Sequence, residues 1–160
     1  MASYRRQSDE QLLADCRVEA FRGPGPGGQK RNKTSSAIRL THAPTGLSSQ
    51  ASESRSKNRN QQTAITRLRH KIALMVREEV NLTKRSAPEL LGVSRRSDNY
   101  PAAMGEVVDV LTQSGWSISD AASKLDISTG RLVSYLSADP LLWAEVNRQR
   151  KTAGLRVLNP

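Results

Sequence analysis

The stretch Arg22 to Lys33, RGPGPGGQKRNK, sets four glycines and two prolines into a dozen positions and follows the last glycine with a glutamine. Glycines without Cβ let a backbone adopt conformations closed to other residues and approach a ligand closely. Gln29 adds an amide, and Lys30, Arg31 and Lys33 with Asn32 add charge and hydrogen-bonding capacity. Taken alone, such a loop reads as a turn. The rest of the chain is poor in conventional catalytic groups. Cys16 is the only cysteine, so no disulfide can form within the chain and a reducing compartment fits. One cysteine and two distant histidines, His42 and His70, make no ligand cluster, so neither metal nor cofactor is expected. Neither histidine accompanies a Gly-x-Ser-x-Gly elbow. Any catalysis here proceeds without the usual side chains.

Charge is the most informative bulk property. The chain carries 25 Lys and Arg against 15 Asp and Glu, a net charge of +10, and only 36% of its 160 residues are hydrophobic. Through Tyr100 there are nineteen basic residues against nine acidic ones, and from Pro101 onward six against six. A basic half beside a neutral half suggests a polyanion-binding surface on the first and a different task for the second, although a merely soluble basic surface gives the same bulk charge. No apolar run approaches the roughly 20 residues that cross a bilayer. The N-terminus has Asp9, Glu10 and Asp15 and no apolar core, which argues against a signal or transit peptide. A cytoplasmic protein without membrane contact is expected.

The elements that must position the loop can be read from the patterning. Ser8, followed by Asp9, Glu10, Leu12 and Leu13, predicts a capped short helix ending near Cys16. RVEAF, Arg17 to Phe21, reads as a strand entering the loop. SAIRLTH, Ser36 to His42, alternates Ile38 and Leu40 with polar neighbours as a half-buried strand leaving it. Pro44, Thr45 and Gly46 make a turn, and GLSSQAS returns as a more polar strand. From Lys57 to Val80 the period lengthens. Ile65, Leu68, Ile72, Met75 and Val76 fall on one helical face, with Arg67, His70, Lys71 and Arg77 largely on the other, where a solvated surface is the plain reading.

Residues 81–100, with Pro88, Gly92 and SRRSDNYP, read as a linker against which Leu90, Leu91 and Val93 pack back. Beyond it, Met104, Val107, Val108 and Leu111 form a stripe ended by Gly115. Ser119 is expected to cap a short helix with Ala121, Ala122 and Leu125, and Ser128 a second with Leu132, Val133 and Leu136; Pro140 opens another. ISDAASKLDISTGRLVSYL resembles a helix-turn-helix, with Asp126 where glycine is usual. The would-be reading helix, Thr129 to Ser137, offers only Arg131 to nucleic acid, and a half with no net charge neutralises phosphate weakly. Packing or protein docking is therefore preferred to DNA reading. The expected architecture is α+β: residues 1–80 as a small domain with a short β-sheet and a long packed helix, a linker over 81–100, and an all-α, helix-turn-helix-like unit over 101–160.

The ordered series Gly25-Pro26-Gly27-Gly28-Gln29, Asn32-Lys33, Ser36 to His42, Pro44-Thr45-Gly46, Ser54 and Lys57-Asn58-Arg59 resembles the catalytic, Gly-Gly-Gln (GGQ) domain of class I peptide chain release factors and their short relatives, the ribosome rescue hydrolases. The resemblance covers roughly residues 17 to 75. It implies hydrolysis of the ester joining a nascent peptide to P-site tRNA, inside the peptidyl-transferase centre of the large ribosomal subunit. Gly27, Gly28 and Gln29 would enter that centre. The backbone amide of Gln29 would stabilise the tetrahedral oxyanion, a contribution of roughly 3 to 4 kcal/mol for one such donor, and its side chain would place or select the attacking water. Ribosomal RNA and the tRNA ribose would supply much of the chemistry and the protein the positioning.

Lys30, Arg31, Asn32 and Lys33, with Arg39, Arg55, Lys57 and Arg59, would then contact the surrounding ribosomal RNA, the cations balancing its phosphates. Where the family often has a small apolar residue, this chain has Arg31, exchanging an apolar contact for a phosphate contact. The resemblance also names Gln29 as the position for a dedicated glutamine methyltransferase. His42 belongs to the strand end and its turn. The short lead before the first strand, the absence of a Pro-x-Thr or Ser-Pro-Phe tripeptide and the helical C-terminal half favour codon-independent rescue of stalled ribosomes or large subunits over stop-codon reading. Rescue hydrolases usually end in a long basic tail; here only Arg148, Arg150, Lys151 and Arg156 cluster, and they are expected to make supporting RNA contacts. Two alternatives remain: a noncatalytic ribosome- or RNA-binding regulator that retains the domain, and a helix-turn-helix transcription regulator.

Overall fold

The computed structural model describes residues 3–22, 36–78 and 87–159. It divides into two compact units, Met1–Ile72 and Ala73–Pro160, and it is α+β, as the patterning implies.

In the first unit a single 3-10 turn, Tyr4–Arg6, precedes α1, Asp9–Ala14. Ser8 caps α1 in a complete capping box: its Oγ accepts from Gln11 N at 3.2 Å, and Gln11 Oε1 accepts from Ser8 N at 3.0 Å. Three antiparallel strands follow in sequence order: β1, Cys16–Phe21; β2, Ala37–His42; and β3, Ser48–Ala51. In β2, Ile38, Leu40 and His42 turn inward while Arg39 faces solvent, the period-2 pattern of a sheet covered on one side. The cover is α2, Lys57–Met75, whose Ala64, Ile65, Leu68 and Ile72 are buried and whose Ala64 carbonyl accepts from Ser49 Oγ at 2.7 Å. Each large apolar side chain removed from water there contributes about 1.5–3 kcal/mol before entropic costs.

The cations in the later turns of α2, though largely solvent-facing, are also tied to the fold. Arg67 Nη1 donates to the Gln50 carbonyl at 2.7 Å and Lys71 Nζ to the Ser48 carbonyl at 2.6 Å, so two long side chains occupy the otherwise open edge of β3. Arg69 clamps the N-terminal segment, reaching the Gln7 carbonyl and Asp9 Oδ1, both at 2.7 Å.

The division between the units falls inside α2. The helix stops at Met75 rather than continuing to Val80, and Met75, expected on the buried face, is 53% exposed. The second unit continues with α3, Ala87–Leu91; α4, Tyr100–Gln113; α5, Ile118–Lys124; α6, Thr129–Ser137; and α7, Pro140–Thr152. Its core gathers Ala73, Leu90, Met104, Val107, Val108, Leu111, Ala122, Leu132, Leu136, Leu142 and Val146, with Leu91 and Val93 packed against it. Leu90, Leu91 and Val93 pack inward as expected, and the stretch around them also forms the helix α3. α5 is capped by Ser117, not Ser119: the Ser117 hydroxyl accepts from Asp120 N, which starts the helix two residues earlier than expected. Ser128 caps α6 as expected, and Asp126 takes the left-handed turn conformation at φ 54°.

Candidate nucleic-acid interface

β1 and β2 pair along their whole length, with Phe21, the last residue of β1, opposite Ala37, the first of β2. The chain leaves the sheet after Phe21 and re-enters at Ala37, so Gly27, Gly28, Gln29, Lys30, Arg31, Asn32 and Lys33 belong to the connection at this end of the sheet. They lie outside the described residues. What the structure does show is how the return of that connection is fixed.

Asn60 holds it. Its side chain is buried, only 1% exposed, and Nδ2 donates to the Ser36 carbonyl at 2.7 Å and to the Ser54 carbonyl at 2.8 Å while Oδ1 accepts from Ser54 N at 2.9 Å. One amide thus joins the residue before β2, the turn after β3 and the first turn of α2. The bend between β3 and α2 is closed further by Ser56 N donating to Ser54 Oγ at 3.0 Å. The motif reading singled out Ser54 and Lys57 to Arg59 but missed Asn60. The available signal was position, not residue type: Asn60 is one of four amides among residues 58–62 and lies four and eight residues before the buried Ala64 and Leu68.

Around this tie stand cations of a different kind from those farther along α2. Arg55, Lys57 and Arg59 are exposed, and their side chains have no hydrogen bond or ion pair among the described residues. Arg55 directly follows Ser54, and Arg59 directly precedes Asn60, so two of the three flank the tie itself. Arg67 instead pairs with Glu53 at 2.7 Å, and that hydrogen bond holds the Glu53 carboxyl below the usual carboxylate range. Arg39, on the open face of the sheet, has its guanidinium over the Phe21 ring. The expected RNA-contacting residues within the described chain therefore remain available to a polyanion, and the helix cations outside that set are spent on the fold.

Two further titratable groups of this unit, His42 and Cys16, are set into the fold. His42 is fully buried at the end of β2, with Nδ1 2.8 Å from Thr45 Oγ1 and its ring edge-on to Tyr4 at 5.1 Å. Burial pushes its pKa down, partly opposed by the charge of Asp15. Burial and then Asp15 push the Cys16 thiol up, away from the thiolate a nucleophile needs. Among the described residues no group of His, Cys, Asp and Glu is placed to hold a metal, and no helix is long and apolar enough to cross a membrane.

In the second unit the C-terminal arginines do not form the free cluster that the sequence suggested. Arg148 makes a two-pronged pair with Glu145 at 2.7 and 2.8 Å, and Arg150 binds the carbonyls of Trp116 and Arg156. Burial raises the Glu145 pKa, but hydrogen bonds from Arg148 and Gln149 outweigh it and leave the carboxyl below its ordinary value. Lys151 and Arg156 keep exposed side chains. Arg131, on α6, is also exposed.

The family model described as the RF-1 domain matches residues 10–104. The chain belongs to that family. Among curated relatives, peptide chain release factor 1 of Flavobacterium johnsoniae is 35% identical over 128 residues, covering 78% of this chain and 35% of that protein. Peptide chain release factor 1 of Methylibium petroleiphilum is 39% identical over 103 residues, covering 60% and 28%. Peptide chain release factor 2 of Proteus mirabilis is 36% identical over 85 residues, covering 53% and 22%. The chain spans about a third or less of the length of these relatives.

Proposed function

We propose that this chain hydrolyses the ester of P-site peptidyl-tRNA on the ribosome and does so without reading a codon, as a rescue factor for stalled ribosomes or large subunits. The observation that carries the reading is the RF-1 match over residues 10–104, which includes Gly27-Gly28-Gln29. The exposed cations Arg55, Lys57 and Arg59, unpaired among the described residues, support it, because they stand around the Asn60 tie to Ser36, where the connection carrying that tripeptide returns to the sheet. In this reading the Gln29 backbone N–H faces the developing oxyanion and its side chain positions water. Lys30, Arg31, Asn32, Lys33, Arg39, Arg55, Lys57 and Arg59 contact ribosomal RNA. The protein works in the cytoplasm, with no membrane contact, metal or cofactor, and Gln29 is the position at which a glutamine methyltransferase would act. Support for codon independence comes from the helical second unit, whose core is its own and which begins at Ala73.

The test loads ribosomes with labelled peptidyl-tRNA on truncated, stop-containing and sense messages and measures released peptide. Release on truncated message without dependence on a stop codon is expected. Release confined to stop codons overturns codon independence. No release in any state, with Gln29→Ala indistinguishable from the parent, leaves a noncatalytic ribosome-binding protein.

A further inference from the structure

Arg39 occupies the middle of the open sheet face, opposite Glu19 on β1 and Gln50 on β3. Its facing carboxylate is already engaged, since Glu19 pairs with Arg17 at 2.8 Å. Instead, the Arg39 guanidinium carbon lies 5.2 Å from the centroid of the Phe21 ring, and Nη2 donates to Gln50 Oε1 at 3.3 Å. The guanidinium thus lies near an aromatic ring, one N–H is directed to an amide, and the rest of an exposed side chain is open. These two neighbours restrain the Arg39 side chain while leaving it exposed. Holding it limits the rotamer freedom lost when it meets a ligand.

Guanidinium planes and aromatic rings are the surfaces on which proteins stack unpaired RNA bases. We propose that Phe21, Arg39 and Gln50 form a platform for one unpaired RNA nucleotide at the sheet end where the glycine-rich connection departs. The base lies on the open face of the Arg39 guanidinium, and a phosphate takes its free N–H edge. Charge favours RNA as the occupant: Arg22, next to Phe21, and Arg55, Lys57 and Arg59 are exposed and without ion-pair partners among the described residues. The platform rests on the ribosomal reading above, to which it adds a fixed point that would hold RNA against the root of the connection.

The experiment uses the full chain and fluorescence anisotropy with a short labelled oligoadenylate and the same strand carrying abasic positions. Arg39→Lys keeps the charge and loses the plane, so it should bind oligoadenylate about tenfold more weakly than the parent while retaining the parent's salt dependence. The parent should lose a similar factor on the abasic strand, and Arg39→Lys should lose little more there. Phe21→Leu, checked for folding by circular dichroism, should weaken adenylate binding without changing the salt slope; Arg39→Gln should lower that slope by about 0.7. Arg39→Lys binding like the parent, equal binding of abasic and adenylate strands, or no saturable binding by the parent overturns the platform. The probe contains no peptidyl ester, so absence of peptide release with these stacking effects intact defeats only the hydrolase reading. Release with no stacking effect defeats only the platform.

Discussion

Replacing Asn60 with alanine removes three hydrogen bonds at once and strands the Ser36 carbonyl and both backbone groups of Ser54. A typical intramolecular bond contributes about 1 kcal/mol net, and a buried group left unpaired costs about 1–3 kcal/mol. Ser36 and Ser54 are half-buried, so water can reach part of what Asn60 leaves. The loss should therefore be about 2–3 kcal/mol, equivalent to roughly 30- to 150-fold in an opening equilibrium. Both tryptophans, Trp116 and Trp143, belong to the second unit, so fluorescence does not report on this site. Amide hydrogen exchange does. Peptides spanning β2 and the turn at Ser54 should exchange faster by that factor in Asn60→Ala, while peptides from α6 and α7 stay at parental rates. Asn60→Asp should be worse near neutral pH, because its carboxylate would face two carbonyls that now receive donors. Exchange over β2 within about twofold of the parent would refute the reasoning that this amide fixes the return of the connection.

In the second unit, Asp139 caps α7 through Leu141 N at 2.9 Å and Leu142 N at 3.2 Å and accepts the Tyr100 hydroxyl at 2.9 Å. Asp139→Ala should cost about 2–3 kcal/mol in urea unfolding followed by tryptophan fluorescence, and Tyr100→Phe, which spares the cap, about 1 kcal/mol. Asp126→Gly should stabilise the same unit by up to about 1 kcal/mol, since φ 54° suits glycine better than a residue with Cβ; an unchanged or lower urea midpoint would contradict this. Burial lowers the His42 pKa in the folded state, so the unfolded chain takes up a proton more readily, starting near the ordinary value of about 6.5. Stability of the first unit should fall as pH drops below that value and lose this dependence in His42→Gln, as measured by urea unfolding with far-ultraviolet circular dichroism.

The elements most legible in sequence are those with two independent signals. The alternation of Ile38 and Leu40 ran between a glycine-rich loop and the Pro44 to Gly46 turn, and β2 lies there. Ser8 and Ser128 stood directly before helical patterns, and both cap. Where two serines competed, the pattern misled: Ser117 wins over Ser119 because its hydroxyl meets Asp120 N as Ile118 enters the helix. Composition hid the helix α3 behind Pro88 and Gly92, although the inward packing of Leu90 was legible from its apolar neighbours.

The site divided along a different line. Residue type named the cations, but only geometry separates Arg67, Arg69 and Lys71, which bind carbonyls and carboxylates of their own unit, from Arg55, Lys57 and Arg59, which bind none among the described residues. A lysine or arginine carries the same charge in either role, and its partner is set by what the fold brings opposite. Asn60 and the Phe21–Arg39 pair were hidden for the same reason. Their partners, Ser36 and Ser54 for one and a neighbouring strand for the other, become neighbours only when the sheet and α2 assemble.

The central claim concerns the Gln29 backbone N–H, and proline tests it directly because it lacks that donor. Single-turnover release of labelled peptide from ribosomes stalled on truncated message should proceed with the parent chain. It should fall by about 10²–10³ in Gln29→Pro, the loss expected for one oxyanion donor, and by less in Gln29→Ala, which keeps the N–H. Release by Gln29→Pro at the parental rate would contradict the account.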